Sequence, residues 1–179
     1  MHLVSANVAR AVIDAQVASA TYPGHVPARW ALPLLDALDT RGRGWQLVEL
    51  DEEDLGGLWL PAHAGEACHG DAMPLGDDAD GAGVRRASDW LARHAAGYAA
   101  ANPSCWGRIT HAGASALSPI IVSPESVGDR VKPDNAALVV VDGLHRALAY
   151  WMAGHRRCLA YIPGPPPGPP TGAPTGAGA

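Results

Sequence analysis

A chain of 179 residues, 47 % hydrophobic and 17 % charged, is long enough for one packed domain and too short for two comfortable ones. Its formal net charge of −5 argues against non-specific DNA binding, which needs several phosphates neutralised. No apolar run reaches membrane-spanning length, and the N-terminus lacks a basic stretch followed by an apolar core, so a cytoplasmic protein is expected.

The charge is uneven. Residues 1–80 carry 4 basic and 13 acidic side chains, and residues 81–179 carry 9 basic and 5 acidic ones, so the second half is free to bind a small polyanion. Phe is absent while Trp numbers six, which leaves Trp and Tyr as the large aromatic anchors. Cys68, Cys105 and Cys158 are widely spaced and odd in number; this is no disulfide framework and suits a reducing compartment.

In chain order, residues 5–20 read as a helix that Ser5 caps, with Val8, Val12 and Ala15 on one face and Ile13 and Val17 alongside. Tyr22-Pro-Gly-His-Val-Pro27 breaks it. A second helix is predicted to bury Trp30, Leu34, Leu35 and Leu38 and to end at Arg41-Gly-Arg-Gly. Trp45–Leu50 alternates as a half-buried strand. Asp51–Asp54 suits the first turn of a short helix, although a solvated acidic face is the plainer reading. Residues 56–83 read as a long loop carrying His63, Glu66, Cys68, His69 and Asp71.

Val84–Ala101 is the clearest helix, with Trp90, Leu91, Ala95 and Tyr98 on one side, Ser88 capping its apolar portion and Asn102-Pro103 closing it. Residues 104–116 read as a Gly/Ser/Thr-rich connection. Leu117–Val122 is a short buried strand, with Pro119 at a sheet edge or at the strand's start. After a turn-rich excursion, Ala136–Asp142 reads as a buried strand, and Leu144–Met152 as a helix stopped at Gly154. Residues 157–162 make a final strand, and residues 163–179, all Pro, Gly, Thr and Ala, have nothing large enough to pack and are expected to be disordered. Three segments result: a helical extension over 1–44, a core over 45–162 and a tail over 163–179.

The chemistry concentrates in Asp142-Gly-Leu-His-Arg146, a turn between a buried strand and a helix start. Helix starts expose N–H groups and the positive end of the peptide dipole, so they attract anions. Arg146 offers a planar fork for two phosphate oxygens, and His145 adds a donor. Gly143 permits close backbone approach, and Asp142 is placed to hold Mg²⁺ or orient an attacking hydroxyl. The structural alternatives are an N-cap for Asp142, worth roughly 1 kcal/mol, and a surface ion pair for Arg146, worth about 0–1 kcal/mol. His63, Cys68 and His69, with Cys105 or His111, match no standard zinc spacing. Ser115 and Ser118 lack the signature of an activated nucleophile, and Arg85-Arg86 reads as a solvated helix start.

Leu117-Ser-Pro-Ile-Ile-Val122, Val139-Val-Val-Asp-Gly-Leu-His-Arg-Ala-Leu-Ala149, Gly154 and the closing strand resemble the ParB/sulfiredoxin-like superfamily over about residues 84–162. Trp45–Leu50 resembles that family's opening strand, and residues 1–44 lie outside the likeness. The resemblance implies a compact α/β (α+β) domain, a small mixed sheet flanked by helices. Sulfiredoxins carry a catalytic Cys where this chain has Leu144, which argues against that chemistry. Chromosome-partitioning ParB proteins have a helix-turn-helix domain downstream, where only the Pro/Gly segment follows Ile162.

The turn is most similar to that of stand-alone free-serine kinases, in which Asp-Gly-His-His-Arg binds an adenine nucleotide; this chain departs at Leu144. That likeness implies an ATP-dependent phosphotransferase acting on a small hydroxylated metabolite, with ATP or ADP and Mg²⁺ as cofactors. Gly143, Leu144, His145 and Arg146 would bind the nucleotide, Asp142 would serve metal and acceptor, and Glu66 would be the base, with Glu52 and Glu53 behind it. The rival is a nucleotide-binding regulator or adaptor that holds a protein partner through residues 1–44. A ParB-like nuclease is a third reading, disfavoured by the acidic balance.

Overall fold

The computed structural model describes residues 1–19, 27–39, 43–61, 81–114 and 118–165. Among them, seven strands form one mixed, open sheet and six helices cover it, the α/β class expected from the sequence. The strands are β1 (His2–Val8), β2 (Trp45–Leu50), β3 (Trp59–Pro61), β4 (Gly81–Gly83), β5 (Ile120–Ser123), β6 (Val139–Asp142) and β7 (Cys158–Pro163). Their spatial order is β1-β2-β7-β5-β6-β3-β4. The β7/β5 and β6/β3 pairs are parallel and the other four antiparallel.

The period-2 geometry of the strands divides the core in two. Ile120, Val122, Val140, Cys158, Ala160 and Ile162 face one side, where they join Leu55, Val84, Leu91, Tyr98, Ile109, Leu148 and Tyr150. Those partners belong to helices α3 (Glu52–Gly57), α4 (Val84–Ala101), α5 (Pro103–Ala114) and α6 (Leu144–Met152). Ile121, Val141 and Tyr161 face the opposite side against Ile13, Val17, Ala31, Leu35 and Leu38 of α1 (Arg10–Ser19) and α2 (Pro27–Asp39). The result is a helix–sheet–helix sandwich with β5, β6 and β7 buried on both faces, which explains their unbroken apolar runs.

Several sequence expectations need correction. The front does not begin with a helix at residue 5: residues 2–8 form β1, an exposed edge strand paired with β2, and Ser5 lies within it. Helix α1 starts at Arg10 and buries Ile13 and Val17, an i,i+4 pair, while Val12 is 50 % exposed. In α2 the buried positions are Ala31, Leu35 and Leu38; Trp30 faces solvent at 44 %. The two helices are tied by Arg10, which pairs with Asp14 at 2.7 Å, Asp36 at 2.8 Å and also Asp39. Asp39 in turn accepts from Trp45 Nε1 at 2.5 Å. Pairing in β1 slips register twice, between Leu3 and Ser5 and between Ser5 and Val8, and Asn7 takes a positive φ of 61°.

The acidic run makes a helix start after all. Asp51 is the N-cap of α3, accepting from the N–H groups of Glu53 and Asp54, and Asp54 answers with its carboxylate on the Asp51 N–H, a reciprocal capping box. The expected 56–83 loop contains the end of α3 and strands β3 and β4; its residues 62–80 lie outside the described residues. Helix α4 has the bounds read from sequence, with a kink at His94 (φ −120°, ψ 15°), and Ser88 is buried inside it rather than capping anything. The expected connection after it is instead α5, whose Cys105 and Ile109 are buried one turn apart. Pro119 stands just before β5, an interior strand, where its missing N–H costs no ladder bond.

At the other end, Gly154 (φ 86°) closes α6. Its N–H reaches Trp151 O at 3.0 Å and the His155 N–H reaches Tyr150 O at 2.9 Å, the paired bonds of a Schellman stop. Strand β7 runs through Pro163, and Gly164 N–H bonds Gly44 O at 3.0 Å, so ordered structure passes the expected start of the tail. The disorder expected of the tail falls on residues 166–179, outside the described residues. No described helix is long and apolar enough to cross a membrane.

Candidate functional site

Strand β6 delivers Asp142 to the end of the sheet, between antiparallel β5 and parallel β3. Gly143 then takes φ 95°, ψ 25°, a left-handed conformation that costs a residue with a Cβ about 1–2 kcal/mol. That reversal starts α6 at Leu144 and makes Gly143 the N-cap, with no side chain to offer the first-turn N–H groups. The glycine is required for space as well. A Cβ there would stand 2.8 Å from Ile120 Cγ2 and 3.0 Å from both Nε and Nη2 of Arg146. The first carbonyl of the helix is used at once, as Ala147 N–H bonds Gly143 O at 2.8 Å.

Asp142 is therefore one residue too early to cap α6. It instead accepts from Arg146 Nη2 at 2.7 Å, and the two side chains are 18 % and 17 % exposed. Arg146 folds back against the turn rather than reaching into solvent. Its charge also acts inward: burial pushes the Cys158 thiol up to about 12 and raises the Tyr150 phenol, and Arg146 pulls both back in part. Tyr150 is anchored by Ser118, donating to its carbonyl at 2.9 Å and accepting from its N–H at 2.8 Å. The site thus rests on α6, β5 and β6 together. His145 lies half-buried on the first turn of α6, and Leu144 packs its side chain on the core, so only its backbone belongs to the turn.

The proposed base residues fare differently. Glu66, with His63, Cys68, His69 and Asp71, lies outside the described residues. Glu52 and Glu53 begin α3, and Glu52 lies 3.5 Å from Arg156, beyond the C-terminal end of α6. The nine residues of α6 separate that end from the turn, about 12 Å from first to last at the α-helical rise, so the fold keeps these two carboxylates away from Asp142. Glu53 lines a cleft of about 500 Å³ with Gly57, Gly83, Arg85 and Asp89. Arg85 in that cleft stacks on the Trp151 ring at 5.3 Å, again at the far end of α6.

Among the described residues no group of three His, Cys, Asp or Glu side chains is placed to hold a metal ion, and Asp142 is paired with a guanidinium. Magnesium that comes with a nucleotide is held largely by phosphates and water. The anion-binding half of the arrangement does fit: a left-handed glycine without a Cβ, helix N–H groups without a side-chain cap, and an arginine beside them. The sequence offered Arg146 a surface ion pair without a named partner; the structure pairs it with Asp142, four residues earlier, and buries most of both side chains.

A family model described as a family of unknown function, DUF6309, matches residues 31–178, and the chain belongs to that family. No curated protein and no solved structure matches it.

Proposed function

We propose that this DUF6309 protein binds the phosphates of an adenine nucleotide, ATP or ADP, at the start of α6 and transfers a phosphoryl group to a small hydroxylated metabolite. One observation carries the reading: Gly143 leaves the first turn of α6 without a side-chain cap, and Arg146 lies against that glycine, so uncapped N–H groups and a guanidinium share one turn. Phosphoryl transfer asks a protein mainly for positioning and charge neutralisation, which a turn locked between β5, β6 and α6 provides. The resemblance of residues 117–122 and 139–149 to ParB/sulfiredoxin-like proteins supports the same reading, and the comparisons with known proteins add no link to that superfamily. His145 is the candidate on the turn for moving a proton, and Glu66 is the candidate base from sequence.

A second reading shares the phosphate site but not the turnover: a nucleotide-binding regulator that holds a protein through its front segment. It is favoured by the exposed apolar side chains Met1, Leu3, Val4, Val12 and Trp30, all within the first thirty positions.

Calorimetric titration of ADP and ATP into the full chain and into Arg146→Ala tests the shared site. Binding is expected, weakened about tenfold or more in the variant, as for a lost charged hydrogen bond. No binding of either nucleotide to the wild type would overturn it. An assay of ADP release from ATP across hydroxylated metabolites then separates the readings: turnover supports the phosphotransferase, and bound nucleotide without turnover supports the regulator.

A further inference from the structure

We infer that helix α5 is a cover that opens as a unit between two fixed ends, while the sheet, α4 and α6 stay folded. At the first end, the Asn102 N–H bonds Tyr98 O at 2.7 Å and ties the start of α5 to the last turn of α4. Past the other end, Ser118 donates its N–H to the Tyr150 hydroxyl at 2.8 Å and accepts from that hydroxyl at its carbonyl at 2.9 Å. Between these anchors α5 does not continue the hydrogen-bond ladder of α4. Asn102 is non-helical (φ −132°, ψ 60°), and Pro103 has no N–H to donate.

The segment between the anchors is weakly held. Among the described residues of α5, Cys105 and Ile109 are the buried apolar side chains, whereas α6 buries all five residues from Ala147 to Trp151. Ser104, Gly107, Thr110 and Gly113 favour a helix little, and the Thr110 hydroxyl turns back onto the carbonyls of Trp106 and Gly107, both at 3.0 Å. The closed arrangement also carries costs that opening removes. Asn102 is 1 % exposed, and neither its Oδ1 nor its Nδ2 meets a hydrogen-bond partner among the described residues. An amide buried in that way has lost its water without compensation. Arg108, 5 % exposed, is the one buried charged side chain among the described residues, and opening returns its guanidinium to water. Few apolar anchors and buried polar groups mark a segment that opens well below the free energy of global unfolding. The event uncovers the surface of α6 on which α5 packs and the thiol of Cys105. Cys158 stays covered, because it lies on β7, an interior strand paired with β2 and β5.

The test is alkylation of the full native chain by iodoacetamide, with each thiol followed separately by peptide mass spectrometry. Cys105 is expected to label about tenfold or more faster than Cys158. Low urea should speed Cys158 steeply and Cys105 only slightly, since a local opening exposes less surface than global unfolding. Two variants separate the two routes. Arg10→Ala weakens the helical layer on the opposite face of the sheet, so it should speed Cys158 labelling roughly fivefold or more and leave Cys105 unchanged. Thr110 is exposed, so Thr110→Ala improves the helix without altering its packing and should slow Cys105 labelling about twofold to threefold. Equal labelling rates for the two thiols in the wild type overturn the inference, as does an equal response of both to urea or to Arg10→Ala. Cys105 labelling that ignores Thr110→Ala overturns it too, because the opening would then not be that of α5.

Discussion

Arg146 and Asp142 are joined at 2.7 Å across one turn of chain, so the two strongest charges of the Asp-Gly-Leu-His-Arg segment neutralise each other over its glycine. The turn is consequently complete without a ligand. Its fold depends on Gly143 and on the neighbours of α6, and its chemistry depends on how readily the pair can be opened.

Gly143→Ala should test the first dependence. The substitution places a methyl group 2.8 Å from Ile120 Cγ2 at a φ of 95°. Strain of about 1–2 kcal/mol from the left-handed backbone adds to overpacking of about 1–3 kcal/mol. A loss of roughly 2–5 kcal/mol in denaturant unfolding is expected, with an unchanged m-value, and an effect below about 1 kcal/mol would contradict the packing described.

Tyr150→Phe should cost about 1–3 kcal/mol, because the Ser118 N–H and carbonyl both lose their partner beside a buried ring. The loss is measured by the same unfolding experiment. The variant should also loosen the entry to β5, seen as faster amide exchange at Ile120 and Ile121.

Arg10→Ala removes the cation shared by Asp14, Asp36 and Asp39. Burial alone would lower the Arg10 pKa, and the hydrogen bonds it donates to those three carboxylates hold it above its ordinary value instead. The Arg10 side chain is 21 % exposed and Asp36 71 %, so screening limits the expected loss to about 1–2 kcal/mol. Raising the salt concentration should shrink the difference between wild type and variant; a difference that grows would point to packing rather than charge.

Alkaline pH should destabilise the fold through Cys158. Burial pushes its thiol from 9.0 up to about 12, so the folded chain keeps a proton that the unfolded chain releases first. With the folded pKa above the unfolded one, this contribution is complete below about pH 9 and is lost as pH rises toward 12. The raised phenols of Tyr98 and Tyr150 act in the same direction. Unfolding curves between pH 7 and 11 should show a falling limb that is shallower in Cys158→Ala. At pH 8 the native thiol should resist alkylation that proceeds readily in denaturant.

The legible parts of the sequence were those where local and tertiary preferences agree. Helix α4 was readable to its ends because Trp90, Leu91 and Tyr98 keep helical spacing and Asn102-Pro103 stops it. The strand–turn–helix of β6 and α6 was readable because six apolar residues, a glycine and a second glycine at 154 punctuate it. What hid was structure made by contacts. Helix α5 carries Ser104, Gly107, Thr110 and Gly113, a loop-like composition, and its helical state depends on packing against α6. Strands β3 and β4 are three residues each, too short for any alternation to register. Strand β1 has no buried face to betray it, since six of its seven residues are exposed. At the site, the residue types were readable, but the ion pair that sets their relation was a matter of spacing.

The two register slips of β1 also bear on how the molecule meets copies of itself. A regular outer strand presents N–H and C=O groups in an even row that another chain can copy, the first step toward fibrous aggregation. In β1 an extra residue intervenes at two places and Asn7 turns left-handed, so that row is interrupted. A strand whose seven residues include neither lysine nor proline is thus guarded by its backbone alone.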